Sequence, residues 1–212
     1  MKIKIIYDNT TINSDLLSDW GFSALIETKD LTILFDAGAD GDILLHNMAA
    51  MDIEPQSIDT VFISHHHFDH IGGLSAFLNV NPEVTVYAPP LLRGVKRVHN
   101  VIYVENSMTI APTIFSTGEL EGIEQSLLVA LDDGLTVIVG CSHPGIDCIL
   151  NAAKQYGEPT RLIGGFHGFQ DFELLEPLKL LCPTHCTQYK KEIEALYPQT
   201  TIRGGAGLEI QL

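Results

Sequence analysis

Residues 64–73 read SHHHFDHIGG, four histidines and one aspartate in ten positions of a 212-residue chain that has nine histidines in all. Nearly half of the imidazole in the molecule is in this one loop. The run before it, TVFISH (60–65), is apolar and rich in β-formers, so it reads as a buried strand that delivers histidine at its end. Side chains alternate along extended chain, so His65 and His67 are expected to point one way and His66 the other. Phe68 is the apolar residue expected to anchor the loop. Asp69 and His70 follow at the mouth of the next helix, where free N–H groups favour a carboxylate. Gly72 and Gly73 permit a tight turn. Two imidazoles from one side, then a carboxylate and a third imidazole one turn later, suit two adjacent ions. Such donors imply one or two divalent transition metals, zinc foremost, with manganese or iron as the alternatives.

Outward from this loop, strands alternate with short helices, the signature of an α/β fold. KIKIIYDN opens as a strand, and ALIETKDLTILFDAG reads as a hairpin around TKD. GDILLHNMAAMDI has helical spacing, LSAFLN is a short helix, and VTVYAP is a strand stopped by prolines. The second half repeats the plan. LVALDDGLTVIVGCS is a hairpin with an Asp-Gly turn, GIDCILNAAKQYG a helix ended by Gly157, and RLIGGFH a strand ending in histidine. LTILFDAG can be laid over LTVIVGCS, and VFISH over IGGFH, as a weak internal duplication. No linker or low-complexity tract divides residues 1–212, which are expected to form one domain.

Acids exceed bases, 27 to 12. A body this acidic repels phosphate backbones, so nucleic acid is not an expected partner. The longest apolar runs are strand-sized, so neither is a membrane. The start has no apolar h-region, and the four cysteines do not make a disulfide scaffold, so a cytoplasmic location with reduced thiols is expected. Cys182 and Cys186 flank His185 without a second cysteine pair at finger spacing and are expected to be buried and inert. His46 and His99 are expected to be structural or solvent-facing. RGVKRVH brings Arg93, Lys96 and Arg97 together, charges that a substrate phosphate would want, although a solvated face is the more common use of such a run. GGAG (204–207) reads as a turn before a final strand.

The HxHxDH pattern of His65, His67, Asp69 and His70 resembles the metallo-β-lactamase superfamily. ILFDAG resembles its first motif, GCSHPG its third and CPTHCT its last. DWGFSALIET, ILFDAG, GCSHPGI, IGGFH and PTHCT together resemble the branch named after dihydropterin-methyl-ribofuranosyl-aminobenzene phosphate synthase. This resemblance implies an αββα four-layer sandwich of two pseudo-symmetric halves, with metals at one edge. It implies that His65, His67 and His143 hold a first metal, that Asp69, His70 and His185 hold a second, and that Asp36 buttresses the loop. Where the superfamily has a bridging aspartate this chain has His167, either a terminal ligand or an acid or base. Asp171, nearby, could substitute as an acidic group, although nothing in its spacing requires it. The activity expected is hydrolysis by metal-bound hydroxide, oriented by Asp69, of a small phosphoester, phosphodiester, lactone or related molecule. A transferase joining an aminobenzene riboside phosphate to a dihydropterin, or a non-catalytic metal-binding or redox module, are the alternatives.

Overall fold

The computed structural model describes all 212 residues. Two sheets face each other. The first contains β1 (Lys2–Tyr7), β2 (Ser23–Glu27), β3 (Thr32–Phe35), β4 (Thr60–Phe62), β5 (Thr85–Ala88), β6 (Asn100–Tyr103) and β13 (Glu209–Gln211). The second contains β7 (Asn106–Ala111), β8 (Ile114–Gly118), β9 (Leu127–Leu131), β10 (Gly134–Val139), β11 (Pro159–Gly165) and β12 (Leu180–Thr184). Strand order is β13-β1-β2-β3-β4-β5-β6 in one and β12-β11-β10-β9-β8-β7 in the other. Five helices accompany them: α1 (Gly41–Ala50), α2 (Phe68–Ile71), α3 (Leu74–Val80), α4 (Ile146–Ala153) and α5 (Lys190–Leu196).

Alternation along the strands decides the layers. Ile3, Ile5, Ile33, Phe35 and Phe62 of the first sheet meet Ile114, Leu127, Val129, Ile138 and Ile163 of the second in one buried cluster. The Phe35 and Phe62 rings stack there at 5.6 Å. The intervening residues of the first sheet, Leu25, Leu34, Val61 and Val86, face outward against Leu44, Met48, Leu74 and Phe77 of α1 and α3. Leu135, Val137, Val139 and Leu162 of the second face Ile146, Ile149 and Ile193 of α4 and α5. The order is helix, sheet, sheet, helix, the expected αββα sandwich. No helix is long and apolar enough to cross a membrane.

The expected duplication holds as a plan and slips as a residue alignment. Each half has an antiparallel hairpin, a helix on the outer face, and a return strand parallel to the second hairpin strand: β2-β3-α1-β4 and β9-β10-α4-β11. Yet the overlay that matches Leu34 with Ile138 pairs an outward residue with an inward one. A shift of one residue flips every side chain in a strand, so the structural match lies one position away. Strands β6 and β7 were not legible in the sequence, because NVIY and NSMTIA are half-exposed and alternate poorly.

Strands β3 to β6 run parallel to one another, as do β10 to β12. Parallel strands send their carboxyl ends to one edge, where the connecting loops must leave. The loops that follow β4, β10, β11 and β12 carry the histidines.

Candidate metal centre

After β4 the chain runs extended through His65 to His67, which precedes the first residue of α2. One turn of helix then turns Asp69 and His70 inward, and both are buried. The same turn pushes Phe68 outward, where it is 67 % exposed. Phe68 therefore does not anchor the loop. The anchor is Asp36 at the end of β3. Its carboxylate accepts the Ser64 N–H and O–H, each at 2.7 Å, and meets Nδ1 of His70 at 2.7 Å.

Donor atoms of His65, His67 and His143 lie within 4.8 Å of one another, and so do those of Asp69, His70 and His185. These are the two groupings that the family resemblance implied. His66 joins neither. The imidazole centroids of His65, His67 and His143 are 4.6 to 4.8 Å apart, and His70 and His185 are 5.0 Å apart.

The sets fit metal ions on a specific ground. The Nε2 atoms of His65, His143 and His185 are buried with no hydrogen-bond partner. Buried nitrogens left unpaired are costly, and an ion is what would satisfy them. The other ring nitrogens explain the arrangement. His65 Nδ1 meets the Ser64 hydroxyl at 2.9 Å, and His185 Nδ1 meets Asn9 Oδ1 at 2.9 Å. Each oxygen accepts a hydrogen bond from Nδ1–H, which keeps the proton on Nδ1 and leaves Nε2 as a lone pair facing the site. Asp69 Oδ2 and His185 Nε2 stand 3.2 Å apart without the angle of a hydrogen bond. Zinc ligands with bonds near 2.0–2.1 Å at a tetrahedral angle stand about 3.3 Å apart.

Electrostatics favour the ligand forms. Burial, then repulsion from neighbouring imidazoles, lowers His65, and burial takes His143 down to about 4. Burial also lowers His67. Burial would raise Asp69, but His185 and His70 outweigh it and hold the carboxyl below its usual range. Burial opposes charge on His70, yet Asp36 prevails and raises it, so an ion there would displace the Nε2 proton.

Several positioning residues were not legible in the sequence. Glu124 is fully buried and accepts the backbone N–H groups of Gly140, Cys141, Ser142 and His143 at 2.9 to 3.1 Å. Asp8 accepts the His185 N–H at 2.7 Å. Trp20 donates its indole N–H to Asp69 Oδ2 at 2.7 Å and packs its ring 4.9 Å from His185. A Cβ at Gly140 would collide with Ser64 Oγ, so only glycine lets the His143 loop approach the His65 loop. Asp36, Ser142, His167 and His185 all have positive φ. Such strained backbone gathers at functional sites.

His167 lies at the rim, exposed, 5.1 Å from His143 by ring centroids and outside every donor set. Asp171 is also exposed and apart. Arg93, Lys96 and Arg97 are exposed in the loop between β5 and β6 and line a cavity of about 420 Å³. Ile71, the residue after His70, also lines that cavity. His46 and His99 face solvent. Cys182 lies in the core between the sheets, where burial pushes its thiol up to about 12. Cys186 is buried too, and its sulfur lies within 4.8 Å of donor atoms of Cys141 and His185.

Residues 21–150 match the model of the metallo-beta-lactamase superfamily. The chain is 27 % identical to the 7,8-dihydropterin-6-methyl-4-(beta-D-ribofuranosyl)-aminobenzene-5'-phosphate synthase of Methanocaldococcus jannaschii, over 87 % of this chain and 86 % of that one. It is 27 % identical to an uncharacterized protein of the same organism, over 89 % and 91 %. The crystal structure of Tm1679, a metal-dependent hydrolase of the beta-lactamase superfamily, superposes with a TM-score of 0.77 at 25 % identity, over 100 % of this chain and 99 % of that one. With the fold, the loop that opens on Ser64 and the family match in agreement, the chain belongs to the metallo-beta-lactamase superfamily.

Proposed function

We propose that the protein is a metal-dependent hydrolase of a small phosphoester, phosphodiester, lactone or related molecule. The observation that carries this reading is the pair of donor sets with unpaired nitrogens facing inward from both sheets. His65, His67 and His143 would hold one divalent ion, and Asp69, His70 and His185 a second, with zinc the best match to these donors. Ions held there supply Lewis acidity and a water acidified toward neutral pH. Asp69, fixed by the Trp20 indole, accepts a hydrogen bond from the attacking water and orients it. His167, free of the donor sets, is placed to give a proton to the leaving oxygen at the rim. Arg93, Lys96 and Arg97 offer cations to an anionic substrate on an otherwise acidic body.

Metal analysis followed by a screen of phosphoesters and lactones tests the reading. We expect at least one transition ion per chain, lost in His65→Ala, and turnover of one ester class. Metal-free protein that takes up none on titration would sink it. His167→Ala should keep its metal while the rate falls roughly 10²–10⁴-fold, the range for a lost proton-transfer group. Loss of an ion instead would make His167 a ligand.

A second reading, a transferase like the Methanocaldococcus jannaschii synthase, is favoured by that similarity and by the two exposed aromatic side chains, Trp20 and Phe68, beside the site. Such faces suit a flat aromatic substrate. Product analysis with a phosphorylated aryl riboside, with and without a pterin, separates joining from hydrolysis.

A further inference from the structure

Cys141 is buried, 4 % exposed, and neither proposed ligand set uses it. Its Sγ is 3.2 Å from Nε2 of His70. Asp36 takes the other nitrogen of that ring, so Nε2 is the one left for sulfur or an ion. The same Sγ forms a donor set with His65 and His70, and another with His185 and Cys186, each with atoms within 4.8 Å. It therefore touches both ligand sets. A thiol that only fills a core is surrounded by carbon. This one is surrounded by donors, two of them, His65 and His185, with Nε2 buried and unpaired.

Charge points the same way. Two dications a few ångströms apart repel, and an anionic ligand between them relieves it. His65, His67 and His143 bring no negative charge, and Asp69 belongs to the second set alone. Asp36 is engaged by Ser64 and His70. Glu124 is engaged by the backbone of the His143 loop. Cys141 and Cys186 are the neighbouring groups left to supply the charge, and of the two only Cys141 shares a donor set with His65 and His70 as well as one with His185. Zinc–nitrogen and zinc–sulfur bonds at a tetrahedral angle set N and S about 3.6 Å apart, a few tenths from the separation seen.

We propose that Cys141 is a sulfur ligand of the metal centre, its thiolate shared between the two sets. This rests on the metal reading of the site and deepens it. The S–H bond breaks, its proton leaves to solvent, and a sulfur–metal bond forms; nothing is oxidised or reduced. A sulfur donor selects thiophilic ions such as Zn²⁺, Co²⁺ and Cd²⁺ over Mn²⁺ and Mg²⁺.

The test is cobalt substitution. Metal-stripped protein is titrated with Co²⁺, following the visible d–d bands for occupancy and the near-ultraviolet thiolate-to-cobalt band for sulfur. The wild type should develop both. Cys141→Ser should keep visible bands and lose the sulfur band, while Cys186→Ser and Cys148→Ser keep it. Visible bands without a sulfur band in the wild type would overturn the inference and spare the metal reading. So would a sulfur band that survives Cys141→Ser. No cobalt uptake would overturn both. Should Cys141→Ser fail to fold, zinc-edge X-ray absorption of Cys186→Ser decides: a sulfur neighbour near 2.3 Å supports Cys141, and a purely nitrogen and oxygen shell overturns it.

Discussion

Trp20 is the one tryptophan of the chain, and its indole N–H is bonded to an oxygen that the second ion would take. An ion on Asp69 changes the charge beside the indole, so tryptophan emission should change during zinc titration of stripped protein and saturate with occupancy. Trp20→Phe keeps a ring over His185 and loses only the donor. It should weaken one ion by roughly 10-fold in a chelator competition, the lower range for groups that hold a ligand in place. Unchanged affinity would leave Trp20 with a packing role. The imidazoles predict a second effect. His65, His67 and His143 are harder to protonate folded than unfolded, so the unfolded chain binds more protons in acid. Their stabilising effect is intact above the ordinary value of 6.5 and is lost as pH falls toward about 4, where folded His143 itself takes a proton. The raised His70 acts only above that window, since below it both states are protonated. Melting temperatures of stripped protein should therefore fall between those two pH values, and a flat profile would refute the assignment.

Loops rather than strands carry the donors, and each loop is held by an element distant in sequence. The hydrogen bonds from the His143 loop end on Glu124, 16 to 19 positions earlier. Replacing Glu124 by Gln turns an amide NH₂ toward backbone donors and leaves some unpaired. Each buried unpaired group costs about 1–3 kcal/mol, so denaturant unfolding should show a loss of about 2–4 kcal/mol. A variant as stable as the parent would mean that the loop finds other acceptors. This dependence on distant partners also decides what could be read in advance. His65, His67, Asp69 and His70 were legible because the chemistry is packed into six residues. His143 and His185 were reached only through the resemblance of GCSHPG and CPTHCT to the superfamily's third and last motifs. Glu124, Asp8, Asn9 and Trp20 were not, because nothing local distinguishes a buried hydrogen-bonding Glu from a solvated one. The hairpins and return strands were legible from alternation. The face each residue takes was not, since hairpin and return strand keep their pattern under a one-residue slip.

At the scale of the whole molecule, the donors come from both sheets: His65, His67, Asp69 and His70 follow β4, and His143 and His185 follow β10 and β12. Ions that bind only this assembled edge join the two halves. At free metal 100-fold above Kd the folded state gains about 2.7 kcal/mol. In a chain of this size each kcal/mol moves Tm by about 2–4 °C, so chelation should lower Tm by roughly 5–11 °C. A Tm indifferent to chelator would mean that the ions do not link the sheets. The bonds from Asp8 and Asn9 to His185 add a consequence in time. They join residues 176 to 177 positions apart, so the edge closes only after nearly the whole chain has been brought into place. A contact formed after the rate-limiting barrier acts on unfolding alone. Metal should leave the refolding rate unchanged and slow unfolding instead, acting as a latch on the finished molecule rather than a guide to its making.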